Sequence, residues 1–415
     1  MKRSVAFAAG VALAMALALP GAFAQGLTTV KILDGQSTTD AGIEKLIDQA
    51  VAAKYPDIKL EWEIVGWGDA FQPKMQQYMQ SGLPDIMIGK GQDVATYAGL
   101  GVLADLSGKP YLKNVLPAAV ASGSYKGKPY GVVFNALYQG VYYNRKFFKD
   151  NNIAVPKTQA ELQKVIDRCK SLGVTPFATH FKDLWSIGNI TMQFAINDVF
   201  NKTPDWGDQL RAGKASYAGS PEMKASYGYN KLIYDNTWKD ETFSLEQTAC
   251  DARMVQGKAA MKVSGSWSIQ NFLDVNPDFD FGIFPFPNQS GNAKLIYEPN
   301  ITLMVSKTTK NMSAVDKVLS VITGDKTLDQ KIYDLTKTAS MVKGAGPTFK
   351  NPSQKDIDAY VAKNQLVDAG SGNNQLVWGG FQDENAKDIA AWLQGQETID
   401  QALQAADARK ASSKP

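Results

Sequence analysis

The sequence predicts an α/β protein built as two units, and three observations carry that prediction. Short apolar runs of strand length alternate with longer stretches whose apolar residues recur at i, i+3, i+4 and i+7. Gly, Asp and Pro punctuate the boundaries between these runs. The chain has 415 residues, more than one ordinary hydrophobic core organises, so two domains are expected.

The N-terminal segment sets the expected compartment. Lys2 and Arg3 precede an apolar run from Val5 to Leu19, Pro20 ends it, and Ala22-Phe23-Ala24 supplies small residues. That order is a secretory leader, and the run is short for a membrane span. Cleavage is expected after Ala24, with the mature protein in the periplasm. No Cys follows the site to carry a lipid anchor, and no other stretch is long and apolar enough to insert in a membrane. Loss of the leader lowers the formal charge from +3 to about +1. So balanced a surface argues against nucleic acid or a polyanion as partner.

The first hundred residues of the mature chain read as βαβ units. Thr28 to Leu33 is a strand ended by Asp34-Gly35, and Ile43, Leu46, Ile47, Ala50 and Val51 line one helix face before Pro56. Leu60, Trp62 and Ile64 alternate as a strand, with Trp62 pointing to the core, and lead into Gly66-Trp67-Gly68. A helix follows from Phe71 to Met79, then a strand from Pro84 to Ile88. This order implies a mostly parallel sheet with right-handed crossovers. Ligands of such sheets sit beyond the carboxyl ends of the strands. The loops 36–39, 66–69 and 89–93 are therefore candidates, and geometry alone nominates Gln36 and Asp69. Lys90, in the third loop, is expected to be solvated.

A second α/β segment is expected from near Tyr138. Thr158 and Glu161 have the spacing of a capping box, Leu162, Val165, Ile166 and Cys169 form the face of its helix, and Gly173 suits its C-terminus. A helix is expected over most of 222–234, strands within 261–263, 279–286 and 301–305, and a helix capped at Ser313 with Asp316 three residues on. Thr398-x-x-Gln401 opens a last, Ala-rich helix that Trp392 helps pack.

Enzyme signatures do not stand out. The sequence has no G-x-x-x-x-G-K-[ST] loop, no H-E-x-x-H and no G-x-S-x-G. Two carboxylates converging for glycoside hydrolysis stay open, because any two Asp or Glu can meet in a fold. With one histidine, His180, and two cysteines, Cys169 and Cys250, a zinc site is not expected. In an oxidising compartment the two cysteines either pair or remain free. The Asp274 to Asp280 stretch lacks the glycine and terminal Glu of a calcium loop and reads as a turn. No cofactor or metal is expected.

Local patterns carry a resemblance. They are Ser81-Gly82-Leu83-Pro84-Asp85-Ile86 and the run Gly99 to Leu106; Lys126-Gly127-Lys128-Pro129-Tyr130-Gly131-Val132-Val133; and Tyr142-Tyr143-Asn144-Arg145-Lys146-Phe147-Phe148 with Pro156-Lys157-Thr158. Gly257-Lys258-Ala259-Ala260-Met261 leading to Gly265-Ser266-Trp267, and the tail from Trp392 through Gly395 to Ala402, complete the set. In this order the chain resembles the family 1 extracellular solute-binding proteins of ABC importers, the group of the maltose and oligosaccharide binders. The resemblance implies a two-lobed periplasmic-binding-protein fold with hinge crossings and a ligand cleft between the lobes. One lobe would comprise residues 25–136 with 299–343, the other 137–298 with 344–415. The chain would cross near Leu137, Glu298 and Lys343. The implied function is capture of a sugar by a monomer that delivers it to the transmembrane subunits of the permease. A polyamine, iron or glycerol-phosphate ligand on the same fold, or an exported carbohydrate-active enzyme, are the alternatives.

Sugar rings present apolar C–H faces and hydroxyls, so a binder needs aromatic faces and forked polar side chains. On the family pattern Trp267 is the stacking residue, following a short strand. Trp185, after Pro176-Phe177 and His180, lines the second lobe, and His180 is placed at the cleft with it. Trp67 and Trp378 are further candidate faces. Gln92 and Asp93 follow the third strand, in a Gly-Lys-Gly-Gln-Asp segment without the aromatic of maltose binders, which favours a compact ligand. Asn135 and Tyr138 flank the first crossing, and Glu298 and Asn300 the second.

Overall fold

The period-2 segments at the start of the chain form β1 (Thr28–Asp34), β2 (Ile58–Ile64) and β3 (Ile86–Gly89). Helices Ile43–Lys54 and Phe71–Ser81 connect them. The three strands pair in parallel in the order β2-β1-β3, as helical crossovers require. The structure is a computed structural model and describes residues 27–35, 42–65, 71–344, 351–370 and 384–412.

A hairpin of β4 (Ser124–Tyr125) and β5 (Lys128–Pro129) precedes β6 (Gly131–Val133). The chain then enters β7 (Asn135–Asn144), the centre of a second sheet that also holds β8 (Thr175–Phe177), β9 (Ala259–Gly265), β10 (Phe281–Phe284) and β11 (Leu295–Pro299). It returns to the first sheet as β12 (Thr302–Val305), pairs with β7 again as β13 (Ala339–Ser340), and adds β14 (Leu366–Asp368) to the second sheet. The sheet orders are β2-β1-β3-β12-β6 and β14-β11-β7-β9-β8. In the first sheet the parallel arrangement holds for β1, β2 and β3 only, and in the second β8 is parallel to β9 and β14 to β11. β12 is antiparallel to β3 and β6, and β7 is antiparallel to β9, β10, β11 and β13. Both departures come from strands that arrive from the other sheet and enter in the opposite sense.

Each sheet is covered on both faces, which is why its strands read as nearly continuous apolar runs. In the first, Val30, Ile32 and Leu303 pack with Ile47, Val51, Val318 and Ile322, while Leu33, Met87 and Met304 turn to Phe71, Met75 and Tyr97. In the second, Val141, Met261 and Val263 face Leu162, Phe194 and Ile389, and Tyr142, Phe281 and Ile283 face Met254, Phe272 and Ile357. Two sheets, each with its own helical layers, make the two-lobed α/β fold. Trp62 packs against the first core and donates its indole N–H to Asp48 at 2.9 Å.

The capping expectations hold at Thr158, whose hydroxyl accepts from Glu161 N at 3.2 Å while the Glu161 carboxylate accepts from Thr158 N at 3.3 Å. Thr398 and Gln401 make the same reciprocal pair. Ser313 is not a cap. The helix is Met312–Gly324 and Asn311 is the N-cap, because the Asn311 amide is tied to Thr29 O and Asp85, fixing the entry two residues earlier. Cys169 and Cys250 are both free and buried in different clusters.

Among the described residues three segments connect the sheets, and one side chain joins them. Asn135 O accepts from Asn300 N (3.1 Å), Asn135 Oδ1 accepts from Ile301 N (2.8 Å), and Asn135 Nδ2 donates to Thr338 Oγ1 (2.9 Å). Every polar atom of that buried side chain is engaged.

Candidate functional site

Strands β8 and β9 run parallel, so both carboxyl ends emerge at the same end of the second sheet. β8 leads through His180 to the helix Trp185–Ala195, and β9 leads through Gly265 to a tight turn, Ser266–Ser268. These two exits bring three aromatic residues together. The Trp185 and Trp267 rings meet edge to face, 5.9 Å between centroids at 77°, and His180 lies 5.4 Å from Trp185 at 69°. The indole of Trp267 folds back over its own strand end. A Cβ at position 265 would fall 2.1 Å from the ring, so only glycine leaves room.

Both tryptophans are partly exposed, yet Trp267 Nε1 and His180 Nε2 are buried and have no hydrogen-bond partner among the described residues. His180 is 3% exposed. Burial, with Lys262 adding repulsion, pushes its imidazole down to about 2, so the ring stays neutral.

A polar row runs from this aromatic corner to the other sheet. Trp185, Asn189 and Gln193 share a helix face at i, i+4 spacing. Gln193 Nε2 donates to Asn189 Oδ1 (3.0 Å) and Ser264 O (3.2 Å), and Asn189 Nδ2 donates to Gln139 Oε1 (2.8 Å). Gln139 Nε2 donates to Glu298 Oε2, and Glu298 Oε1 faces Lys90 Nζ at 3.7 Å. Gln139, Asn189, Gln193 and Glu298 are all buried, and Gln193 Oε1 has no partner among the described residues. Lys90, expected in solvent, instead points inward, because the buried Glu298 carboxylate needs a counter-charge.

The remaining sequence-predicted residues divide clearly. Asp93 Oδ2 accepts from Lys90 N at 2.8 Å and Oδ1 from Gln72 Nε2 at 3.2 Å, so it closes the start of the helix Gly91–Gly99. Burial raises its carboxyl above the ordinary range. Asn135 is committed to the crossings. The Asn300 side chain is buried beside them, with its backbone N–H given to Asn135. Tyr138 is half-buried, its ring 6.1 Å from Tyr297 and its N–H donated to Ser266 Oγ at 2.8 Å. That bond ties the first crossing to the Trp267 turn. Gln36, Trp67, Asp69 and Trp378 lie outside the described residues, as does the side chain of Gln92.

Gln139, Asn189 and Gln193 escape a reading of the sequence by motif. Their signal is of another kind: each is a buried carboxamide inside a mostly buried segment. Buried polar side chains are uncommon and need a reason.

The sequence profile of the bacterial extracellular solute-binding proteins matches residues 34–329. The chain is similar to a multiple sugar-binding protein of Streptococcus mutans serotype c, 23% identical over 79% of this chain and 78% of that one. Among solved structures it resembles a chitin oligosaccharide binding protein (TM-score 0.75, 18% identity, 92% and 98% coverage). It also resembles a sugar transporter from Bacillus licheniformis in complex with stachyose (TM-score 0.75, 16% identity, 92% and 99% coverage). At such identities the structural likeness establishes the shared fold. With that profile spanning most of its length, the chain belongs to the bacterial extracellular solute-binding protein family.

Proposed function

We propose that this protein captures an uncharged sugar, a monosaccharide or short oligosaccharide, between its two lobes and delivers it to the transmembrane subunits of an ABC importer. It acts as a monomer in the periplasm, with its hinge at the crossings that Asn135 ties together. The observation that carries the reading is the pairing of Trp185 and Trp267 beside a row of buried carboxamides. Indole faces suit the C–H side of a sugar ring. Trp267 Nε1, His180 Nε2 and Gln193 Oε1, without a partner among the described residues, suit its hydroxyls, since a buried polar atom without a partner costs about 1–3 kcal/mol.

Charge favours a neutral ligand over the alternatives. His180 is neutral, Glu298 is offset by Lys90, and both Asp93 oxygens accept hydrogen bonds. A polyamine would want free carboxylates here, and a phosphate would want arginine. Among the described residues no group of three or more His, Cys, Asp or Glu is placed to hold iron. The relatives described as binding multiple sugars, chitin oligosaccharide and stachyose support the same class.

A thermal-shift screen of the mature chain against sugars, polyols, spermidine, glycerol phosphate and ferric citrate tests this. A ligand at 100 times its dissociation constant stabilises the fold by about 2.7 kcal/mol, so a hit on one or two neutral sugars is expected. Stabilisation by a charged solute alone would reject the ligand class, and turnover of the sugar would reject simple capture.

A further inference from the structure

Glu298 lies where the two sheets meet, one residue before β11 ends and the chain crosses back to the first sheet. Its carboxylate is divided between the lobes. Oε2 accepts from Gln139 in its own sheet, and Oε1 faces Lys90 Nζ, at the tip of β3, from 3.7 Å. The next residue on the Lys90 side, Gly91, packs so tightly on the crossing that a Cβ would lie 2.6 Å from Pro299 Cβ. The tip of β3 is thus held against the second crossing by shape at Gly91 and by charge at Lys90. Gln139 cannot turn over: its NH2 must meet the carboxylate, and its carbonyl oxygen accepts from Asn189.

We propose that the Lys90–Glu298 pair is the electrostatic detent of the lobe hinge, with Gln139 as the residue that positions it. Rotating the lobes apart draws the ammonium away from a carboxylate whose side chain is 4% exposed. A buried charge that loses its partner is strongly disfavoured, so the pair biases the free protein toward the arrangement in which the lobes approach. That bias reaches the ligand site because the same Gln139 amide continues to Asn189 and Gln193 beside the paired indoles. A ligand that needs the lobes together binds less tightly when fewer free molecules already hold them so. The proposal rests on the hinge in the proposed function, and it does not depend on which solute is bound.

The test measures the distance between spin labels on the two lobes without ligand. Labels are attached through Lys45→Cys and Lys170→Cys, both exposed, while the native cysteines are buried. Lys90→Met and Glu298→Gln are each expected to lengthen or broaden the wild-type distance distribution. Lys90→Arg, which keeps the charge, is expected to restore it. Gln139→Leu should shift it in the same direction. With a sugar found by the screen, Lys90→Met should bind roughly three- to tenfold more weakly. Superimposable distance distributions for wild type, Lys90→Met and Glu298→Gln, with unchanged melting curves, would overturn the detent. If no sugar binds any variant, the sugar reading fails while the label distances still decide the detent.

Discussion

Trp267 owes its place to a neighbour without a side chain. Gly265 has an ordinary extended backbone, φ −132°, so alanine there meets no backbone strain; the conflict is with the indole at 2.1 Å. Gly265→Ala is therefore expected to keep the fold and push the ring out of its position, weakening ligand binding by roughly tenfold or more, measured by fluorescence titration. His180 gives a second prediction, through its proton. Its folded-state value of about 2 lies below the ordinary 6.5, so between those values the unfolded chain binds a proton that the folded chain refuses. Stability is then fully present above pH 6.5 and falls as pH drops toward 2, by about 1.4 kcal/mol per pH unit. His180→Gln is expected to flatten the acid limb of the stability curve by that slope in urea titrations at pH 4 to 7. Ordinary acid unfolding of the variant with an unchanged slope would contradict it. At this scale the aromatic half of the candidate site is legible in the sequence, because a Trp just past a strand end is conspicuous. The carboxamide half is not, since Gln139 or Asn189 acquires meaning only when a strand and a helix far apart in sequence come together.

Elements were easier to read than their partners. Helices and strands of the first three units follow directly from apolar spacing, and the Thr158–Glu161 box stands in the sequence as a pattern. Thr158→Ala removes one cap of the helix Gln159–Ser171 and should cost about 1 kcal/mol. Differential scanning calorimetry is expected to show a melting point lower by roughly 2–4 °C with ligand affinity unchanged; a change in affinity would mean that this helix communicates with the site. Sheet sense was the harder matter. Local spacing gives a strand its faces, yet β12 and β7 take their antiparallel partners from crossings that join distant parts of the chain. The Ser313 cap failed for a similar reason: Asn311 is chosen by Asp85 and Thr29, more than two hundred residues away.

At the scale of the molecule, the fold separates two tasks. Each sheet carries its own cores, so the proposed hinge motion would leave each lobe's packing intact. Among the described residues the joint is narrow, three crossings tied at Asn135, and the aromatic pair and carboxamide row lie on one side of it. Two lobes follow from length and from the resemblance; a narrow joint with a buried charge beside it is formed by residues far apart in sequence and shows only in the fold. The central claim, that a neutral sugar is held against the paired indoles, is tested most directly by titration calorimetry of the screened sugar into the wild type and Trp267→Ala. The account predicts one site per chain in the wild type and a loss of at least about 2 kcal/mol, roughly thirtyfold, in the variant. Equal affinity in a correctly folded Trp267→Ala protein would contradict it and move the binding site elsewhere on the molecule.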